Sequence, residues 1–133
     1  MEVTILLDQN IAGYADFFVA GLRETGWDQL VHCTFTRLRD FALPDDYPDD
    51  ELWRFVQARG IWLVTHNRNS TGADSLQATI RRENTLDSLP VITIPNKDKL
   101  PDAAYRRRVV DGLVDIIISP EKYRGTGRVF LPQ

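Results

Sequence analysis

Asp8 directly follows the apolar run Val3-Thr4-Ile5-Leu6-Leu7 and opens the polar turn Asp8-Gln9-Asn10. A carboxylate held there by rigid backbone can bind a divalent cation or activate water, because hard cations take oxygen ligands from one or two carboxylates plus waters. Its alternative use is to end the strand and cap the next helix. Asp49, Asp50 and Glu51 form an acidic trio behind Pro48, where a helix is expected to begin and carboxylates favour the helix dipole by about 0.3–1 kcal/mol. The two uses are compatible there: Asp49 can cap while Asp50 or Glu51 points at the rim of a sheet. His66-Asn67-Arg68-Asn69 follows the apolar run Ile61-Trp62-Leu63-Val64-Thr65. His66 has the chemistry of a base or ligand, but it lacks the second nearby ligand that a zinc site needs, so a hydrogen-bonding role is favoured. Asn67 and Asn69 offer amide oxygens, and Asp74 stands near the next helix start as cap or site acid.

Arg106-Arg107-Arg108 is the one basic run. It reads first as a solvated helix face, with phosphate contact as the alternative. Gly125-Thr126-Gly127 is too short and too late in the chain for a phosphate-cradling loop of the P-loop or dinucleotide type. His32 and His66 have no recognisable triad context and no serine or cysteine nucleophile motif is present, which argues against serine hydrolysis. Cys33, the single cysteine, excludes an internal disulfide and reads as a buried, inert thiol.

The elements that must position these groups follow from periodicity. Residues 3–7, 30–35, 61–65, 90–94 and 128–131 read as short strands. Ile11, Tyr14, Ala15, Phe18 and Leu22 recur at helical spacing and Gly26 closes that helix. A second helix starts at Asp49 or Asp50, with aspartate as N-cap, buries Leu52, Phe55, Val56 and the stem of Arg59, and stops at Gly60. A third covers about 73–84 with Leu76 and Ile80 inward. A last one opens at Pro101-Asp102 with Tyr105, Val109, Leu113 and Ile116 on one face. Residues 40–49, with Pro44 and Pro48, read as an irregular acidic loop. Strand and helix alternate throughout, which predicts a three-layer α/β/α sandwich with a mainly parallel central sheet. Sites in such sheets form beyond the carboxyl ends of the strands, where both Asp8 and the 66–69 cluster fall.

The 133 residues show no break in composition, so one domain is expected. A 43% hydrophobic and 26% charged composition is that of an ordinary globular chain able to bury a core without staples. No apolar run approaches the roughly 18 residues that span a bilayer, and the first residues lack the basic segment and cleavage site of a signal peptide. Cytoplasmic residence without membrane contact is the expectation. A formal net charge of −3 argues against gripping nucleic acid by bulk electrostatics but leaves room for an acidic metal site.

Three segments together resemble a known family. Ile5-Leu6-Leu7-Asp8-Gln9-Asn10, Asp50-Glu51-Leu52-Trp53-Arg54-Phe55-Val56 and Leu63-Val64-Thr65-His66-Asn67-Arg68-Asn69 are similar, in order and spacing, to motifs of the short PIN-like proteins related to toxin ribonucleases. The resemblance covers roughly the first half of the chain. It implies a PIN-like fold and a metal-dependent phosphodiesterase acting on RNA, with Mg²⁺ or Mn²⁺ held by acidic residues. Carried over by position, Asp8 and Asp50 are metal ligands and catalytic residues, Glu51 is Asp50's catalytic neighbour, and Asn67 occupies a catalytic position. Asp74 is a further candidate metal ligand, and Asn10, His66, Arg68 and Asn69 are candidate substrate contacts. The family has aspartates where this chain has Asn67 and Asn69, so two charges are missing from the implied cluster. The resemblance also implies an antitoxin or other protein partner and a homodimer. The alternative it leaves is a catalytically degenerate protein that binds nucleic acid or a protein without cleavage.

Overall fold

The computed structural model describes residues 1–66, 72 and 75–133. Five strands alternate with four helices: β1 (Glu2–Leu7), α1 (Ala15–Thr25), β2 (His32–Thr36), α2 (Asp49–Arg59), β3 (Trp62–Thr65), α3 (Leu76–Glu83), β4 (Val91–Thr93), α4 (Ala103–Ile118) and β5 (Arg128–Phe130). The strands form one sheet in the order β2-β1-β3-β4-β5, and every pairing is parallel. This is the α/β/α architecture that the alternation predicts.

Parallel strands buried on both faces read as continuous apolar runs. Ile5, Leu6 and Leu7 are such a run, at most 1% exposed. Successive side chains point to opposite faces. Ile5, Leu7, Val64, Ile92 and Ile94 therefore pack with Phe18 and Leu22 of α1 and Val109, Val110 and Leu113 of α4. Leu6, Leu63 and Val91 pack with Leu52, Trp53 and Val56 of α2 and Leu76 and Ile80 of α3. Trp62 belongs to the first of these cores, as its place in a strand predicts.

The layer assignment has a consequence for handedness. α1 carries the chain from β1 outward to β2, while α2, α3 and α4 carry it toward the opposite edge. Two of those three lie on the face opposite α1, and α4 lies on the same face as α1. The first three crossovers therefore share one hand, which for parallel connections is right-handed almost without exception. The crossover β4–α4–β5 has the other. α4 is drawn to α1 by close packing: a Cβ at Gly21 would sit 2.6 Å from Cγ2 of Val110, so only glycine allows this approach.

Several boundaries differ from the sequence expectation. The first helix begins with a 3-10 turn over Ala12–Tyr14, and Gly26 ends it at φ +80° as expected. β2 starts two residues later than predicted, because a 3-10 turn over Trp27–Gln29 leaves Leu30 exposed. A further 3-10 turn, Leu38–Phe41, precedes the acidic loop. Pro48, not an aspartate, is the N-cap of α2. Trp53 is buried on α2, while Phe55 is half-buried beneath the Arg59 guanidinium, 4.1 Å from its ring. Cys33 is only partly buried, and burial pushes its thiol up to about 11.

Arg106 departs most from expectation. It is 8% exposed and joins three elements. Its Nε and Nη2 donate to both carboxylate oxygens of Glu24 at 2.9 and 2.7 Å, and Nη1 donates to the carbonyls of Leu100 and Pro101 at 2.8 and 3.0 Å. Arg107 and Arg108 stay exposed. The three arginines therefore form neither one solvated stripe nor one phosphate patch. No described helix is long and apolar enough to cross a membrane.

Candidate functional site

In the strand order found here, β1 and β3 are neighbours whose outgoing connections diverge to opposite sides of the sheet. Such a switch point opens a crevice at the carboxyl ends of the two strands. Asp8 extends β1 into it: its amide donates to the Val64 carbonyl of β3 at 2.9 Å, and its carbonyl accepts from Ile11 at 2.9 Å as the chain turns away. The side chain is 9% exposed. Oδ1 accepts from the Gln9 amide at 2.8 Å and Oδ2 from the Thr65 hydroxyl at 3.0 Å. Burial raises the Asp8 carboxyl above its ordinary value, and these two hydrogen bonds only partly oppose it.

Asn10 links the two strand ends. Its Oδ1 accepts from the His66 amide at 3.0 Å and lies 3.4 Å from the Thr65 hydroxyl. His66 in turn is held to the end of β4, with Nδ1 3.0 Å from the Ile94 carbonyl. A carbonyl can only accept, so Nδ1 carries the proton that makes this contact. Lys97, just beyond β4, donates from Nζ to the Asn10 carbonyl at 2.5 Å, and Nζ stands 5.4 Å from the Tyr14 ring centre. One buried carboxylate, one imidazole and one ammonium thus converge from three adjacent strand ends.

The acidic trio at the start of α2 is at the same edge of the sheet, since a helix following a parallel strand begins where that strand ends. Its members divide their work. Asp49 accepts the Leu76 amide at 3.2 Å, capping α3 rather than its own helix. Asp50 accepts the Glu51 amide at 2.9 Å and stands 3.5 Å from Arg54, whose guanidinium grips Glu83 at 2.6 Å. Glu51 is exposed. Asn67, Arg68, Asn69 and Asp74 lie outside the described residues. Among the described residues, no three histidine, cysteine or acidic side chains converge where a metal ion could sit.

Thr65 and Lys97 were not singled out by their residue types. A signal existed for each: Thr65 is the one polar residue in an apolar strand, and Lys97 follows Pro95-Asn96 directly after a strand end. The link that Asn10 makes between strands depends on tertiary pairing and has no local signature. No family model, curated protein or solved structure matches this chain.

Proposed function

We propose that the protein is a metal-dependent ribonuclease of PIN-like type, hydrolysing phosphodiester bonds in the crevice at the ends of β1 and β3. The observation that carries this reading is the buried carboxylate of Asp8 at the switch point, tied through Thr65 and Asn10 to His66. A carboxylate buried this deeply is costly to ionise without a cation beside it. That donor chemistry fits Mg²⁺ or Mn²⁺, which one or two carboxylates and several waters hold. Asp8 and Asp50 are the residues that would hold it, with Asp74 as a further acid. When bound, such a cation supplies charge neutralisation and water activation.

The chain's own groups contribute the rest. His66, whose Nδ1 is committed to the Ile94 carbonyl, offers Nε2 as the general base toward water or a ribose hydroxyl. The Lys97 ammonium offsets negative charge that develops on a phosphate in the crevice. Thr65 and Asn10 fix the orientation of Asp8 and His66, which a reaction dependent on positioning requires.

The test is cleavage of single-stranded RNA with Mg²⁺ or Mn²⁺, comparing wild type with Asp8→Asn. The expected loss is about 10²-fold or more; absence of any metal-dependent cleavage, or equal cleavage by the variant, overturns the reading. Asn67 and Asn69 favour a second reading, a PIN-like protein that binds RNA or a protein partner without cutting. Retained RNA binding with no turnover distinguishes it.

A further inference from the structure

We propose that Arg37 and Arg39 form a phosphate-binding subsite that holds the backbone of a single-stranded RNA beside Asp8. The ligand assignment rests on the ribonuclease reading; the subsite itself rests on separate observations. A polar cavity of about 240 Å³ lies at the ends of β1 and β2, lined by the three consecutive residues 37–39 together with Gln9, Ala12, Gly13 and Asp45. Gln9 is the residue whose amide binds the Asp8 carboxylate, so the cavity begins one residue from the candidate catalytic group.

Local structure explains why both arginines face it. Arg37 is extended, its amide donates to Asp40 at 2.8 Å, and the 3-10 turn Leu38–Phe41 follows. Leu38, between the arginines, is 2% exposed and anchors the turn in the α2–α3 core. Leu38 thus anchors the turn while lining the cavity, and its two neighbours border the same space. Across the cavity, a Cβ at Gly13 would meet nothing within 4 Å, so that wall is open to a ligand.

The state of the two guanidiniums is the second observation. Arg54, Arg82, Arg106 and Arg107 each have a carboxylate partner. Among the described residues, no ion pair engages Arg37 or Arg39. Asp45 is the one acid on the cavity wall, so this pocket carries a local positive excess on a chain whose net charge is −3. Two unpaired planar guanidiniums two residues apart suit adjacent phosphate oxygens, which arginine binds in bidentate fashion.

The experiment measures binding of a short fluorescein-labelled single-stranded RNA by anisotropy in EDTA, across a salt series, so that no turnover occurs. Each single-strand phosphate contact adds about 0.7 to the slope of log K against log salt. Arg37→Gln combined with Arg39→Gln is expected to lower that slope by roughly 1.4 and to weaken binding at low salt. Asp45→Asn should tighten binding, because it removes the acid on the cavity wall. Neither arginine makes an ion pair in the fold, so the double variant should keep the wild-type circular dichroism spectrum. Wild-type affinity and slope in the double variant, or no binding by wild type, overturns the subsite. RNA bound through these arginines but never cleaved would sink the nuclease reading and leave the subsite standing. Cleavage with unchanged KM after both are removed would do the reverse.

Discussion

The Thr65 hydroxyl donates to Oδ2 of Asp8 across 3.0 Å, joining the last residue of β3 to the first residue beyond β1. Because Asp8 is titratable and buried, this contact and the burial around it set how stability depends on pH.

Asp8 has a folded-state carboxyl above its ordinary 3.8, chiefly through burial. The folded protein therefore holds this proton to higher pH than the unfolded chain. Stability from that proton is fully present below the unfolded value and is lost as pH rises through the folded one. Asp8→Asn, which can still accept from Gln9 and donate to Thr65, should thus raise Tm at neutral pH. Each kcal/mol gained corresponds to about 3–5 °C at this size. Thermal denaturation from pH 3 to 8 checks it: the gain should vanish at the acid end.

Thr65→Val keeps shape but removes a hydrogen bond that lowers the Asp8 carboxyl. One oxygen of a buried carboxylate loses its partner, at a cost of about 1–3 kcal/mol near neutral pH. The loss should shrink as Asp8 protonates. Urea denaturation at neutral and acid pH reads both the cost and its pH dependence.

If Asp8 holds a divalent cation, Mn²⁺ should raise Tm at neutral pH, by the equivalent of about 2.7 kcal/mol at a hundredfold excess over Kd. Asp8→Asn should abolish the metal-dependent part while keeping its own metal-free gain. A thermal-shift titration shows this directly, and an identical Mn²⁺ response in both proteins would remove Asp8 as a ligand.

Gly21→Val should destabilise by about 1–3 kcal/mol through overpacking, since even a Cβ would meet Val110 at 2.6 Å. Val110→Ala in the same chain should recover part of that loss. A double-mutant cycle in urea measures the coupling.

Cys33 should resist alkylation in the native state. A thiol at about 11 rather than 9.0 holds about a hundredfold less thiolate near neutral pH. Iodoacetamide modification should be correspondingly slow in buffer and ordinary in urea.

Strand ends were legible in the sequence because burial on both faces forces continuous apolar runs, and Asp8 and His66 stand where two such runs stop. The acidic trio was legible as a helix start, but the destination of each carboxylate was not. Asp49 caps α3 because tertiary packing brings Leu76 to it, and no spacing within α2 encodes that. Arg106 misled for the same reason. A run of three arginines reads as surface, yet Glu24 and two loop carbonyls satisfy all of one guanidinium's reach. The loop after β4, which supplies Lys97, carried no cue beyond its position in a parallel sheet.

The shared face of α1 and α4 also sets a timetable for folding. The contact that ties them, Glu24 to Arg106, spans 82 residues, so the entropy of closing that long loop precedes any gain from burial. During synthesis, Val64 and Ile92, on the sheet face that α4 shares with α1, lack that helix until α4 has left the ribosome. A chain released before that point keeps an apolar stripe in water, which makes truncated products the natural clients of chaperones and proteases.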